Sequence, residues 1–389
     1  MINTDELLSR AVEDVVPRKL AEEKLKSGKP LRLYLGIDPT GAKLHIGHSV
    51  PLLKLRAFQD AGHHVIFLIG SFTALIGDPT GREETRPMLT KEEVTKNFET
   101  YKQQASKILD FDSLEIRYND EWLAPMGIAD IMKLAGHFTI QQMMQRDMFQ
   151  KRLAKGDPLT PNEFMYPLMQ GYDSVVLDVD FEVGGNDQLF NMLCGRTLQK
   201  AYGKREKFVL TTRLIEGIDG RKMSKSYDNC IYLTDAPGEM YGKILSIKDE
   251  LIPTYFECCT KIPMAEVNAA VSTMKAGKMN PKDLKMRLAR EIVTMYHSKK
   301  DAAAAEAEFE NVFKNKGLPE SIPEFKAKKG MLLIDALAES KTVSSKSEAR
   351  RLIEQGGVKL ADLPVTAADA KAEKGIWKVG KRKFLKITN

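Results

Sequence analysis

Residues 31–48 read LRLYLGIDPTGAKLHIGH, and the fold turns on them. The first seven, LRLYLGI, set large apolar side chains at alternate positions, as a strand does. A turn follows at Asp38, Pro39, Thr40 and Gly41, and a helix begins near His45. The next apolar run, HVIFLIG at 64–70, is almost continuous, which fits a strand buried on both faces of a parallel sheet. Helical patterns are expected at 49–61, 91–108 and 126–154, and short strands at 174–178, 181–184 and 208–215. Strands alternating with helices over long connections predict an α/β parallel-sheet domain over 1–234.

From Asp235 to Phe313 the strand pattern vanishes. Pro281 opens a helix with apolar positions at Leu284, Leu288, Ile292, Met295 and Tyr296, so 235–313 is expected to form a separate all-α domain. Residues 314–330, KNKGLPESIPEFKAKKG, have the Pro, Gly and charge content of a linker. A small α+β module is expected at 331–389. There Ser345 and Glu348 have capping-box spacing, Gly356-Gly357 stop the helix, and strands are predicted near 357–360, 375–379 and 383–387.

A chain of 389 residues suits two or three such domains. No stretch reaches the ~20 apolar residues of a membrane helix, so no membrane partner is expected. The start, MINTDELLSR, has neither the basic-then-apolar order of a secretory signal nor the acid-poor character of a transit peptide, and a cytoplasmic location is expected. Cys194, Cys230, Cys258 and Cys259 make no C-x-x-C pair, which fits buried reduced thiols better than a disulfide framework or zinc site. The net charge is +6, and residues 331–389 carry twelve Lys/Arg against seven Asp/Glu, a net +5. A nearly neutral body with a basic tail points to a polyanionic partner, most simply nucleic acid.

Two stretches carry chemistry. The junction at 34–48 lies where ligands bind in a parallel α/β sheet, and a helix N-terminus attracts phosphate. His45 and His48, three apart, can donate hydrogen bonds to phosphate oxygens, and Gly47 between them leaves room for a flat ring on the backbone. Two surface histidines beside a turn is the structural alternative; a metal pair lacks a third ligand at a useful spacing. The second stretch, GIDGRKMSKS at 217–226, sets Arg221, Lys222 and Lys225 on a Gly-rich turn. It fits a mobile cationic clamp for triphosphate or, alone, a solvated basic loop.

HIGH at 45–48 together with KMSKS at 222–226 resembles the class I aminoacyl-tRNA synthetases. Over nearly its whole length the chain further resembles the bacterial tyrosyl-tRNA synthetases, through YLGIDPTGAKLHIGH (34–48), GSFTALIGDPTGREETR (70–86), YPLMQGYDS (166–174), VGGNDQLFN (183–191) and KMSKS. The spelling of KMSKS and of YPLMQGYDS is similar to the second of two bacterial subgroups. The module at 331–389 resembles the S4 RNA-binding domain, notably in SKSEARRLIEQGGV (345–358).

The resemblance implies a Rossmann-like catalytic domain and a set of roles. Tyr34 and Asp173 would hold the substrate phenol hydroxyl, and Asp78, Tyr166 and Gln170 would surround the substrate ammonium. Gly36, Asp38 and Gln188 would line the tyrosyl-adenylate, with Gly185, Asp187 and His48 at the ribose. Thr40 and His45 would meet the γ-phosphate, and Arg82, Arg86, Lys222 and Lys225 would close on pyrophosphate. Lys346, Arg350 and Arg351 would meet tRNA. The implied substrates are L-tyrosine, tRNA(Tyr) and ATP with Mg²⁺, with no tightly bound protein-liganded metal and no separate editing domain. A homodimer is implied through an insert at about 110–165, where FTIQQMMQRDMFQKR (138–152) is rich in Met and Phe. Three departures stand out: Arg82 where many relatives have Lys, Asn186 where they have Ser or Thr, and KLADLP (359–364) in place of an Asn-Gly turn. Two competing readings are a tryptophanyl enzyme, disfavoured by Tyr34, Asp173 and the S4-like module, and a non-catalytic RNA-binding paralogue, disfavoured by the intact phosphate cluster.

Overall fold

Six strands build the first sheet: β1 (Val12–Val16), β2 (Arg32–Ile37), β3 (His64–Ile69), β4 (Glu115–Tyr118), β5 (Phe181–Gly185) and β6 (Phe208–Thr212). Their order is β1-β6-β5-β2-β3-β4. Strands β2 to β6 run parallel, and β1 lies antiparallel on the β6 edge. The structure is a computed structural model and describes residues 4–41, 43–79, 89–314, 322–328, 330–343, 345–361, 363–380 and 383–388.

The central strands are apolar because helices cover both faces. Leu33, Ile66, Phe67, Phe181 and Phe208 are fully buried, and the Phe181 and Phe208 rings stack with centroids 4.4 Å apart. From β2 the chain winds outward to β3 and β4, then returns to lay β5 on the other side of β2. This reversal opens a crevice at the C-terminal ends of β2 and β5, the place where open α/β sheets bind ligands. Three helices frame it: α1 (Ile46–Asp60), α2 (Pro161–Leu177) and α3 (Leu189–Ala201).

The structure corrects two expectations. Residues 174–178 are not a strand; all but Asp178 belong to α2. Pro161 at the first helical turn, and Thr160 whose amide is held by Glu163, start that helix, and Ser174, Val175 and Leu177 lie on its buried face. The left-handed Asp178 (φ 46°) ends it. The expected helix at 126–154 is three helices, Ile128–Ala135, Ile140–Met144 and Asp147–Lys155. Thr139 caps the second through the amide of Gln142, so the chain restarts rather than continues. Strands β1 and β4 were not expected.

The chain divides into two compact units, Met1–Lys299 and Lys300–Asn389. In the first, helices Pro237–Leu245, Ile252–Cys259, Met264–Lys275 and Pro281–Tyr296 follow the sheet, and no strand occurs among the described residues of 235–313. Tyr255 donates its hydroxyl to the Glu216 carbonyl at 2.6 Å, tying these helices to the segment after β6. In the second unit, β7 (Glu324–Lys326), β8 (Val358–Leu360), β9 (Leu363–Val365), β10 (Gly375–Val379) and β11 (Lys383–Thr388) form a sheet of order β7-β11-β10-β8-β9. Strand β7 comes from the stretch read as linker and pairs parallel with β11. Helices Leu333–Glu339 and Lys346–Glu354 close a core that includes Leu337, Ile353, Leu385 and Trp377. Ser345 accepts the Glu348 amide at 3.2 Å, as the capping spacing predicts.

Candidate active site

A cavity of about 770 Å³ opens at the crevice. Its wall takes Gly36 and Asp38 from the end of β2, Gly70 after β3, Gly184 from β5, and Tyr166, Gln170 and Asp173 from α2. That volume suits a substrate of nucleotide size.

One end is buried and polar. Tyr34 is fully buried on β2, and its hydroxyl lies 2.9 Å from Ser174 Oγ. Asp173 is 3% exposed; Trp122 Nε1 donates to its Oδ1 at 2.8 Å and Asn119 Nδ2 to its Oδ2 at 3.3 Å. Tyr34 and Asp173 therefore both line the cavity but have separate protein partners, which leaves each able to meet a ligand hydroxyl. Burial, and then the Glu182 and Asp173 carboxylates, push the Tyr34 phenol well above its usual range, so it stays a protonated donor. Burial likewise raises the Asp173 carboxyl, against the pull of Trp122 and Asn119.

Around the middle, Tyr166 donates to Asp38 Oδ2 at 2.8 Å and Thr73 donates to Asp38 Oδ1 at 2.8 Å. A Cβ on Gly70 would lie 1.9 Å from Asp38 Oδ1, so only glycine admits the carboxylate there. Gln188 Nε2 donates to Asp78 Oδ2 at 2.8 Å, and Gln170 Nε2 to Glu182 Oε1 at 2.9 Å. The residues expected around the ammonium and the adenylate thus all line the one cavity.

The other end is cationic and more open. The His45 and His48 rings stack with centroids 3.8 Å apart. The His45 amide donates to His48 Nδ1 at 3.2 Å, which puts the His48 proton on Nε2. Burial first, and then His48 and Lys225, drive His45 down to about 2; burial and Lys225 bring His48 to about 4. Both are neutral donors at physiological pH. Lys225 Nζ comes so near Gly41 that a Cβ there would lie 2.8 Å from it. Lys222 Nζ pairs with Asp187 Oδ2 at 3.4 Å. Thr40, His48, Asp187, Lys222 and Lys225 all line the cavity, whereas His45, Gly47 and Gly185 lie off its wall. The room left by Gly47 is taken by the His45 ring, 2.9 Å from where a Cβ would sit. Arg82 and Arg86 lie outside the described residues.

Asn229 shapes the turn that carries the lysines. It is 1% exposed; its Oδ1 accepts the Ser224 amide at 2.9 Å, and its Nδ2 donates to Asp219 Oδ1 at 2.8 Å and to the Lys222 carbonyl at 3.1 Å. A Cβ on Gly217 would lie 2.4 Å from this side chain, so glycine permits the approach. Sequence reading missed Asn229, Thr73, Asn119, Trp122, Ser174, Glu182 and Lys207. The one signal for them was the apolar context of Glu182 and Lys207, two charges set against the buried β5 and β6.

In the second unit Lys346, Arg350 and Arg351 are exposed on one helix, while Ala349 and Ile353 of that helix are buried. Lys346 Nζ meets Asp335 Oδ1 at 2.8 Å.

The profile of the family described as tRNA synthetases class I (W and Y) matches residues 26–314. The chain is 48% identical over 386 residues to a Vibrio vulnificus (strain YJ016) protein named Tyrosine–tRNA ligase 2, covering 98% of this chain and 97% of that one. It is 46% identical over 388 residues to the Thermotoga maritima Tyrosine–tRNA ligase, covering 98% and 96%. Among solved structures, a C-terminally truncated Aspergillus nidulans mitochondrial tyrosyl-tRNA synthetase superposes with a TM-score of 0.66 at 25% identity, covering 80% of this chain and 94% of that one. By sequence and by fold, the chain belongs to the class I tRNA synthetases of the W and Y family.

Proposed function

We propose that this chain is a tyrosine–tRNA ligase: it activates L-tyrosine with ATP to tyrosyl-adenylate and pyrophosphate, then transfers the tyrosyl group to the terminal adenosine of tRNA(Tyr). The observation that carries the reading is the buried Tyr34 and Asp173 lining one end of a cavity whose other end holds His48, Lys222 and Lys225. A buried donor and a buried acceptor suit a phenol, and neutral imidazoles with lysines suit a triphosphate. A site that hydrogen-bonds a hydroxyl rejects the analogue lacking it by ~10⁴–10⁵, a magnitude known from tyrosyl-tRNA synthetase against phenylalanine itself; on this reading no editing domain is needed.

The substrate carboxylate is already a nucleophile, so activation needs no general base. It attacks the α-phosphorus, and pyrophosphate departs. Catalysis is then positioning plus charge stabilisation. Asp78, Tyr166 and Gln170 orient the amino end. Gly36, Asp38 and Gln188 line the adenylate, with Gly185 and Asp187 at the ribose. Thr40, His45 and His48 donate to the nucleotide, and Lys222 and Lys225, with Arg82 and Arg86, meet the leaving pyrophosphate. ATP arrives as its magnesium complex, so the ion counts as part of the substrate. In the second step the 2′-hydroxyl of the tRNA end attacks the adenylate carbonyl.

On this reading the catalytic domain spans 1–234, a helical anticodon-region domain 235–313, and an S4 RNA-binding domain 331–389 offering Lys346, Arg350 and Arg351. The chain works as a cytoplasmic homodimer. Support for the dimer comes from apolar side chains in 110–165 exposed in the single chain: Ile128 at 81%, Ile140 at 74% and Met132 at 66%. No helix among the described residues is long and apolar enough to cross a membrane. Tyrosine-dependent ATP–pyrophosphate exchange, with tryptophan as control, tests the assignment; exchange with tryptophan and not tyrosine would reverse it.

A further inference from the structure

Behind the tyrosine end of the cavity sits a lysine that the mechanism has not used. Lys207, just before β6, has no exposed side-chain surface. Its Nζ lies 2.5 Å from Glu182 Oε2, 2.6 Å from Ser174 Oγ and 3.4 Å from the Met192 carbonyl, and 5.5 Å from the centre of the Tyr34 ring. The place is fitted to it: a Cβ on Gly195 would lie 2.6 Å from Nζ and 2.5 Å from Ser174 Oγ. Glu182 in turn accepts from Gln170 Nε2. Gln170 and Ser174 are one turn apart on α2, so a single Lys–Glu pair reaches both.

Hydrogen counting gives this cluster a direction. An ammonium has three hydrogens and no lone pair, so it only donates. Its three neighbours are a carboxylate, a carbonyl and Ser174 Oγ, and Ser174 must accept. Ser174 is fully buried, and among the described residues its only other side-chain partner is Tyr34 Oη at 2.9 Å. A buried hydroxyl hydrogen without an acceptor is disfavoured, so Ser174 donates to Tyr34. The Tyr34 hydroxyl, having accepted there, is left with its own hydrogen, which faces two acceptors: the Glu182 carboxylate beside it, which Lys207 already engages, and whatever oxygen enters the cavity. At the other end the Glu182 carboxylate can only accept, so Gln170 turns its NH₂ to Glu182 and leaves its carbonyl oxygen for a donor in the cavity.

We propose that Lys207, acting through Ser174 and Glu182, orients the polar groups that read the amino acid, turning the Tyr34 hydroxyl outward as a donor to the substrate phenol oxygen and the Gln170 carbonyl outward as an acceptor for the substrate ammonium. Lys207 is a positioning residue for specificity and touches no substrate. The proposal rests on the tyrosine ligase reading. It adds a polarity: the phenol accepts from Tyr34 and donates to Asp173, and phenylalanine fails on both counts.

The test is Ser174→Ala in the full chain, with exchange measured for tyrosine and phenylalanine and with ATP KM as an internal control. Without its ordering partner Tyr34 can turn its hydrogen away from the cavity. The tyrosine kcat/KM should fall roughly tenfold or more, through KM, with phenylalanine kcat/KM and ATP KM nearly unchanged. Equal losses for both amino acids would mark a merely structural role and overturn the proposal, and so would unchanged discrimination. A second variant, Lys207→Met with Glu182→Gln, avoids leaving a lone buried charge. It should narrow discrimination as much as Ser174→Ala; if it keeps wild-type discrimination while Ser174→Ala loses it, Lys207 has no part in the ordering. A wild-type chain inactive with tyrosine would sink both the ligase reading and this one. An active wild type with an equally selective Ser174→Ala sinks the proton order alone.

Discussion

Replacing Asn229 by alanine should slow adenylate formation without loosening tyrosine binding. The side chain makes four hydrogen bonds to the turn that carries the cations: one from the Ser224 amide, one to Asp219, one to the Lys222 carbonyl and a long one, at 3.5 Å, to the Arg221 carbonyl. Each contributes ~0.5–1.5 kcal/mol net, and water can enter a surface turn to replace part of the loss. A loss of ~2–3 kcal/mol in the docked turn is the reasonable range, equal to about 30- to 150-fold in rate if it falls wholly on the transition state. It should fall there because Lys222 and Lys225 matter most as charge builds on pyrophosphate. Tyr34, Asp173 and Gln170 share no hydrogen bond with Asn229, so tyrosine affinity should hold. Quench-flow measurement of adenylate formation and equilibrium dialysis of tyrosine separate the two effects. Asn229→Asp is the control: it keeps the acceptor for Ser224 but loses both donors and faces Asp219, so it should do no better. A rate within threefold of wild type, or a parallel fall in tyrosine affinity, would refute the reasoning.

Three further outcomes are expected. Trp122→Phe removes a donor that holds the Asp173 carboxyl down, so the acid form should persist to higher pH; as pH falls, tyrosine KM should begin to rise at a higher pH than in wild type, and identical pH profiles would count against the role of Asp173. His48, brought to about 4 in the folded chain, contributes stability that is full above the unfolded value near 6.5 and declines as pH falls from there towards 4, by at most ~1.4 kcal/mol per pH unit. In thermal melts the difference between wild type and His48→Gln should therefore shrink over that window, whereas a constant difference would mean that the imidazole is not held neutral. A chain ending at Lys314 should keep pyrophosphate exchange but lose much of its tRNA charging, with a shallower salt dependence, because the exposed Lys346, Arg350 and Arg351 are gone; if both activities fall together, the basic module supports the catalytic fold instead.

What the sequence disclosed, it disclosed where signals are contiguous. Strands β2 and β3, the turn after β2 and the Gly-rich lysine loop each sit in one run of residues, and each reads directly. The paired strands of the C-terminal unit were legible too, since β10 and β11 keep a two-residue alternation around Trp377 and Leu385. Misreadings arose where local pattern and tertiary packing disagree. Val175 and Val176 favour a strand by type, but they follow nearly four helical turns already begun at Pro161, and burial against the sheet holds the helix to Leu177. Strand β1, VEDVV, carries two acids and looks like an edge or a loop; it is an edge strand, held by β6. The Lys207 cluster was hidden for another reason. Its members come from β2, α2, β5 and the start of β6, far apart in sequence, and only the parallel order of the strands brings them together.

The two ends of the cavity are built on opposite principles, and their independence can be measured. Recognition uses groups already desolvated and hydrogen-bonded by the fold: Tyr34, Ser174, Glu182 and Lys207 are all at least 98% buried and linked to one another. Charge stabilisation uses lysines held on a turn, where Lys222 retains 57% of its side-chain exposure. Rigid groups suit a choice between hydroxyl and hydrogen, and exposed cations suit charge that appears only as pyrophosphate leaves. Ser174 and Asn229 share no partner, so their effects on activation free energy should add. Single-turnover rates for wild type, Ser174→Ala, Asn229→Ala and the double variant, at subsaturating tyrosine, give the cycle. Additivity within ~0.5 kcal/mol is expected. A larger coupling would mean that the lysine turn senses whether the phenol is correctly held, and would join into one device what the fold builds as two.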